Sequence, residues 1–313
     1  MNFQQLRAIR EARRHNFNLT EVAQALHTSQ PGVSRQIREL EDELGIELFV
    51  RAGKRLTGLT EPGRHVMPIV ERLLNEAANL RHAADDFASS GSGALRIATT
   101  HSQARYALPP VVRDFRAAHP DVVLHLQQGT PQQIARLLLD GDADVGIATE
   151  SLAQFDELVA LPCYRWTHSV ITPPDHPLAR EAAAGQPLTL TRLAQFPIIT
   201  YELGYTGRSH IDDAFRKAGL ELNLVLAAMD ADVIKTYVEL GLGVGIVAAI
   251  AYDETRDSHL TAIDARHLFA DNMTRLAVRR DAYLRDYVYA FIATFAAPLT
   301  REAVQEARMR PGN

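Results

Sequence analysis

The chain has 313 residues, of which 46% are hydrophobic and 23% charged, and its formal net charge is −5. That supports two or three globular units with ordinary cores, and it excludes a generally basic coat, so contact with phosphate has to come from local clusters or from several copies of the chain together. The single cysteine, Cys163, rules out an intramolecular disulfide and a thiolate zinc site, and neither a signal-peptide run nor a stretch of membrane-spanning length occurs, so the cytoplasm is the expected compartment and no membrane partner is expected.

Phe3, Leu6 and Ile9 repeat at helical spacing and form a stripe able to close a three-helix core. Leu19, Val22, Ala23 and Leu26 define a short second helix capped by Asn18. Val33, Ile37, Leu40 and Leu44 define a third, with Ser29 as its cap and Gln30 and Pro31 in its first turn. The tight turn between these two predicts a helix-turn-helix. Gln30, Ser34, Arg35 and Arg38 occupy the face opposite the apolar stripe, and their amide, hydroxyl and guanidinium groups suit base edges and phosphates in a major groove. A plain helical hairpin with a solvated polar side fits the same pattern.

The stretch TSQPGVSRQIRELEDELGIELFVR, residues 28–51, closely resembles the N-terminal domain of LysR-type transcriptional regulators. The resemblance implies a winged helix-turn-helix over residues 1–60, whose wing is Phe49-Val50-Arg51, the turn Ala52-Gly53-Lys54-Arg55 and residues 56–60. It assigns Ser29, Gln30, Pro31, Ser34, Arg35 and Arg38 to double-stranded promoter DNA, with Arg51, Lys54 and Arg55 placed to touch phosphate.

Thr60 can cap a further helix with Pro62 in its first turn, along which Val66, Val70, Leu73, Ala77, Leu80, Ala84 and Phe87 alternate four and three residues apart. A helix over about 61–87 is roughly 40 Å long, and its seam needs a partner, most simply a second copy; the alternative is packing against the chain's own domains. In the LysR family this segment is the dimerising linker helix, which makes 61–92 linker and hinge, with the flexible run Ser89-Ser90-Gly91-Ser92-Gly93 at the boundary.

From residue 93 the pattern alternates short β-branched runs with amphipathic helices. Strands are expected at 95–99, 122–127, 145–149, 169–171, 198–201, 224–227 and 244–247, with helices at 104–118, 131–139, 211–218 and 231–240, the rhythm of parallel α/β sheets. Ligands of such sheets sit beyond the carboxyl ends of the strands. Those ends carry Thr100, Ser102 and Gln103, then Gly129 and Thr130, then Thr149, then Thr200 and Glu202, with Thr206 opening the next helix. Either they converge on a pocket for a polar small molecule, or they serve only as helix caps.

ATTHSQARYALP, GDADVGIATE, LPCYRW, TGRS and DADVIKTYVELGLGVGIV resemble the CysB branch of the LysR family, the regulators of sulfur assimilation. The resemblance implies a periplasmic-binding-protein-like effector domain over 93–313, with subdomain I at about 93–163 and 266–300 and subdomain II at about 164–265. It further implies a homodimer or homotetramer on promoters, RNA polymerase as a partner, and acetylated serine, sulfate or a related sulfur metabolite as effector. Pocket positions carried over are Thr100, Ser102, Gln103 and Thr149, with Trp166 at the margin. Ser102 and Glu202 both stand where the best-known members have threonine. Ser102 keeps the hydroxyl, whereas a carboxylate at 202 repels an anion and favours a ligand with an ammonium group, unless Glu202 turns outward to a cation such as Arg208. A response to sulfonate or sulfate-ester supply is equally open.

Gly241-Leu242-Gly243-Val244-Gly245 follows a helix and leads into a strand, the reverse of a dinucleotide fingerprint. The histidines are scattered, without metal-ligand spacing, and no nucleophile elbow or phosphate loop occurs. The expectation is a regulator, with neither catalysis, cofactor nor metal. The competing reading is a small-molecule-binding or enzymatic α/β protein whose helical N-terminal domain serves only assembly.

Overall fold

Asn2 accepts the N–H groups of Gln4 and Gln5 and so starts α1 (Phe3–Arg14). Asn18 accepts from the Thr20 N–H at 3.1 Å to start α2 (Leu19–Ala25), and Ser29 from the Gly32 N–H at 3.3 Å to start α3 (Gln30–Leu44), which Gly45 ends at φ 69°. Leu6, Ile9, Val22, Val33, Ile37 and Leu40 meet in one buried core. Phe3 and Leu44 do not join it, being 52% and 41% exposed; each sits at the outer end of its helix. The structure is a computed structural model that describes residues 1–53, 55–88, 92–205 and 207–310. It divides into two units, Met1–Asp85 and Asp86–Asn313.

The first unit continues with the antiparallel pair β1 (Phe49–Ala52) and β2 (Arg55–Leu59). Lys54, between them, lies outside the described residues. Thr60 then caps α4 (Glu61–Ala88) by accepting the Gly63 N–H at 3.0 Å. Met67, Val70 and Leu74 turn into the helix-turn-helix core, with Val66 packed beside them. Two members of the expected seam, Val66 and Val70, are therefore spent within the domain, while Ile69, Leu73 and Leu80 remain 48%, 42% and 72% exposed. The Phe87 side chain and Ser89-Ser90-Gly91 lie outside the described residues.

The second unit holds two five-stranded sheets. β3 (Gly93–Thr99), β4 (Val122–Gln128) and β5 (Val145–Ala148) run parallel, connected through α5 (Leu108–Ala118) and α6 (Pro131–Leu139). After β6 (Leu158–Trp166) the chain crosses to β7 (His168–Thr172), then passes through α7 (Pro177–Ala183), α8 (Leu190–Leu193), β8 (Ile198–Tyr201), α9 (Arg208–Lys217), β9 (Leu224–Ala228), α10 (Ala231–Glu239), β10 (Val244–Ala248) and β11 (Thr261–Asp264). It returns as β12 (Asn272–Arg279), followed by α11 (Asp286–Phe295) and α12 (Arg301–Met309). The strand orders are β4-β3-β5-β12-β6 and β11-β7-β10-β8-β9.

The sheets are thus mixed, where the sequence rhythm suggests parallel ones. β12 is antiparallel to β5 and β6, and β7 to β10 and β11. A strand entering a lobe from the other lobe arrives from the opposite edge, so the strand after each crossover opposes its neighbours. Leu95, Ile97, Val145 and Ile147 bury against Leu108, Phe115 and Phe291 in one lobe; Val170, Ile198, Val244 and Ile246 bury against Ile211 and Phe215 in the other. Each such side chain contributes about 1.5–3 kcal/mol. Among the described residues, no helix is long and apolar enough to cross a membrane.

Candidate functional site

In the first unit, Gln30, Pro31, Arg35 and Arg38 on α3 are exposed and Ser34 is half-buried, while Ser29 is committed to the cap. Arg35 Nε lies 2.7 Å from Glu39 Oε1, and that hydrogen bond holds the Glu39 carboxyl below its usual pKa. So exposed a pair is weak and leaves the guanidinium free to move to a phosphate. Arg55 is also exposed, and together with Asn16, Asn18, Thr20 and Gln30 it bounds a hollow of about 480 Å³.

Arg51 differs from the free phosphate contact that the sequence suggests. Its guanidinium binds Glu41, a carboxylate only 7% exposed, which also accepts the N–H groups of Leu48 at 2.8 Å and Phe49 at 3.2 Å. A buried carboxylate demands such compensation, so Arg51 ties the wing to α3.

In the second unit, the first sheet brings together most of the expected ligand positions. Thr100 and Ser102 follow β3, Gly129 donates its N–H to Thr99 O at 3.1 Å, and Thr100 donates its N–H to Ile147 O at 3.3 Å, two residues before Thr149. These groups share the carboxyl edge of three parallel strands. Ser102 is 2% exposed, and its buried Oγ makes no well-formed hydrogen bond among the described residues, interacting only with the Tyr201 phenol of the other lobe; Nε1 of Trp166 is likewise buried and unpaired among them. The Thr149 hydroxyl has, among the described residues, only a long contact, 3.4 Å to Ser151 Oγ.

Other expected positions are committed elsewhere. Gln103 accepts the Tyr164 hydroxyl and donates to Thr274 Oγ1 at 3.2 Å, so its amide knits subdomain I together. Thr130 caps α6, its hydroxyl accepting the Gln133 N–H at 3.2 Å. Thr200 is fully buried and donates to Ile246 O at 2.9 Å. Glu202 is exposed and does not meet Arg208, which is buried and taken by Asp212 at 2.8 Å and Tyr201 O at 2.6 Å. Thr206 lies outside the described residues.

Across the cleft the lobes are joined through Asp232, in the first turn of α10. It accepts the Tyr106 hydroxyl at 2.7 Å and Arg105 Nε at 3.2 Å, His101 Nε2 lies at 3.5 Å, and Lys235 Nζ is 3.8 Å away. Burial opposes its ionisation, but the Tyr106 hydrogen bond, Lys235, His101 and Arg105 outweigh that and hold the carboxyl below its usual pKa. Burial pushes the Tyr106 phenol well up. The fold also gathers His101, Asp230 and Asp232 within 4.8 Å, a grouping that sequence spacing does not reveal. Asp230 caps α10 through the Val233 N–H at 2.9 Å, and Asp232 is ringed by cations, so the three do not make a ready cation site.

Two family models match the chain: the bacterial regulatory helix-turn-helix protein of the lysR family over residues 3–64, and the LysR substrate binding domain over residues 88–299. The chain belongs to the LysR family of transcriptional regulators. This regulator is 55% identical to the HTH-type transcriptional regulator SsuR of Burkholderia cenocepacia, over 97% of its own length and 100% of that protein's. It is 50% identical to the HTH-type transcriptional regulator CysB of the same organism, over 98% and 97% of the two lengths. The crystal structure of the cofactor-binding domain of the Cbl transcriptional regulator covers 71% of this chain and 96% of that one, with TM-score 0.67 and 49% identity. The regulator is therefore a DNA-binding, effector-responsive, oligomerising protein and not an enzyme.

Arg105, Tyr106, Asp232 and Lys235 are residues of the regulator's cleft that sequence reasoning missed. Tyr106 and Asp232 are 126 positions apart, and Tyr106 sits in a π-helical turn, Gln103–Ala107, where the sequence reads as the start of one continuous helix. π-Turns frequently mark functional positions, but no local pattern announces this one. The glycines at 241–245 of the regulator serve packing: Gly241 has φ 75°, and a Cβ on Gly245 would meet Ile171 Cγ1 at 2.5 Å.

Proposed function

We propose that this LysR-type regulator is cytoplasmic, binds promoter DNA as a homodimer or homotetramer, and controls sulfur-assimilation genes, including those for sulfonate or sulfate-ester use, together with RNA polymerase. Gln30, Pro31, Ser34, Arg35 and Arg38 read the operator, and Arg55, with Lys54, grips phosphate. The domain division is residues 1–60 for DNA, 61–92 for linker and pairing, and 93–313 for the effector. The effector is a small polar molecule, such as an acetylated serine, sulfate or a related sulfur metabolite, held by Thr100, Ser102, Gly129 and Thr149 beside Trp166.

The observation that carries this is the Ser102 hydroxyl, 2% exposed at the end of β3 and without a well-formed hydrogen bond among the described residues. A buried polar group left unmade costs about 1–3 kcal/mol, which a ligand oxygen would recover. Glu202 is exposed to high dielectric, where an anion about 4 Å from a carboxylate is disfavoured by only about 1 kcal/mol; sulfate is therefore admitted. Calorimetry on the full chain with sulfate, O-acetylserine and N-acetylserine tests both points. Ser102→Ala should weaken the true effector about tenfold, and Glu202→Thr should change sulfate affinity by less than about fivefold. Full affinity for all three compounds in Ser102→Ala would place the effector elsewhere.

A further inference from the structure

Beside the interlobe contact lies a cavity of about 370 Å³ that includes none of the strand-end hydroxyls. One wall is Arg105, Tyr106, Pro109 and Pro110 of the first lobe. The other comes from the second lobe, between Asp232 and Lys235 on α10 and the segment from Ile250 to Asp257.

Its three carboxylates already have donors. Asp257 accepts Lys235 Nζ at 2.8 Å and the Asp253 N–H at 3.0 Å; Asp253 accepts the N–H groups of Thr255 at 2.9 Å and Arg256 at 3.2 Å; Asp232 holds Tyr106 and Arg105. Lys235 is also spent, buried against Asp257 with the Tyr106 ring 5.1 Å from its Nζ. Uncommitted groups are cationic and apolar. The Arg256 guanidinium makes no ion pair or hydrogen bond among the described residues, and Arg105 is bound only through Nε, which leaves its two terminal nitrogens for a planar anion. Pro109, Pro110 and Ile250 supply a surface with no hydrogen-bond donors in their side chains.

We propose that this cavity is a second ligand site, separate from the strand-end cleft, for a small organic anion whose carboxylate or sulfonate meets Arg105 and Arg256 and whose short apolar body lies on Pro109, Pro110 and Ile250. A metal or ammonium ligand is disfavoured because the carboxylates are taken. Since the two arginines stand on different lobes, occupancy adds contacts between them, and by linkage it alters the affinity of the strand-end cleft for its own ligand.

The test is calorimetry on the full-length protein with butane-1-sulfonate and butanoate, alongside butan-1-ol and butylamine, using wild type, Arg256→Gln, Arg105→Gln and Ser102→Ala. Circular dichroism checks that each variant is folded; Arg256 is exposed and its replacement leaves the fold intact. At least one anion should bind ten times more tightly than the alcohol or the amine, the ratio of the two anions identifying the headgroup. Each arginine variant should weaken that anion about tenfold, while Ser102→Ala leaves its affinity unchanged. Unaltered affinity in Arg256→Gln, loss of anion binding in Ser102→Ala, preference for butylamine, or no heat from either anion overturns the proposal.

Discussion

Glu41 is buried among the groups that need it: two backbone N–H groups at the start of β1 and the Arg51 guanidinium. Removing the carboxylate leaves three donors unpaired, so Glu41→Ala should destabilise the first unit by about 3 kcal/mol in urea unfolding. Arg35→Ala should stay within about 0.5 kcal/mol of wild type and lower operator affinity instead. If the Glu41 variant is as stable as wild type, the wing is held by its apolar contacts alone. Cys163 offers a different check. Burial pushes its thiol up to about 11, so at pH 8 about one molecule in a thousand carries the reactive thiolate, and alkylation by iodoacetamide should run over about a hundredfold slower than for free cysteine. Fast labelling of the native protein would show that the sulfur is reachable and ionised. At this scale caps were legible, because Asn18 and Ser29 act on residues two or three positions away. Arg51, Gln103 and Thr200 were not, because their partners lie 10, 61 or 171, and 46 positions off.

Several helices followed from periodicity, but α7, α8, α11 and α12 were not among the expected elements, and periodicity could not say which stripe faces what. On α4 the apolar residues form two overlapping stripes: Met67, Val70 and Leu74 close the helix-turn-helix core, while Ile69, Leu73 and Leu80 stay exposed. The proposed pairing of two chains therefore rests on the second stripe. Leu80→Asp adds a charge to a residue 72% exposed and should leave the fold intact while shifting sedimentation toward smaller species, because a paired seam would bury the ion at a cost of several kcal/mol. Leu74→Asp should instead lower the melting point of the first unit. Sedimentation of Leu80→Asp like wild type would free this face from any role in assembly. Strand direction was equally hidden. β7 and β12 oppose their neighbours because each follows a crossover, and the two crossovers entered the reading only through family resemblance. β6, β11 and β12 were not among the expected strands. β11 exposes or half-exposes three of its four residues, and β12 mixes Asn, Thr and Arg with its apolar positions, so neither shows a clean run or alternation.

At the scale of the whole effector unit, the contacts at Asp232 set how the lobes respond to acid. The groups facing it are His101, Arg105 and Tyr106 from one lobe and Lys235 and Asp230 from its own. Its folded pKa is held below the unfolded value, about 3.9, so its contribution is fully present above that pH and is lost as pH falls through the lower folded value. Between pH 5 and 8 the carboxylate stays charged and the link between lobes should not vary on its account. Asp232→Asn keeps the size but cannot accept from cations as well; at pH 7 loss of about 1 kcal/mol would lower the melting temperature of a unit of this size by about 2–4 °C. As the pH falls below about 3.9 and through the lower folded value, protonation of the wild-type carboxyl removes the same advantage, so the two melting curves should converge. Equal melting temperatures at pH 7 would mean that the Tyr106 hydroxyl, and not the charge, carries the link, since the amide oxygen of the variant accepts that hydrogen bond too.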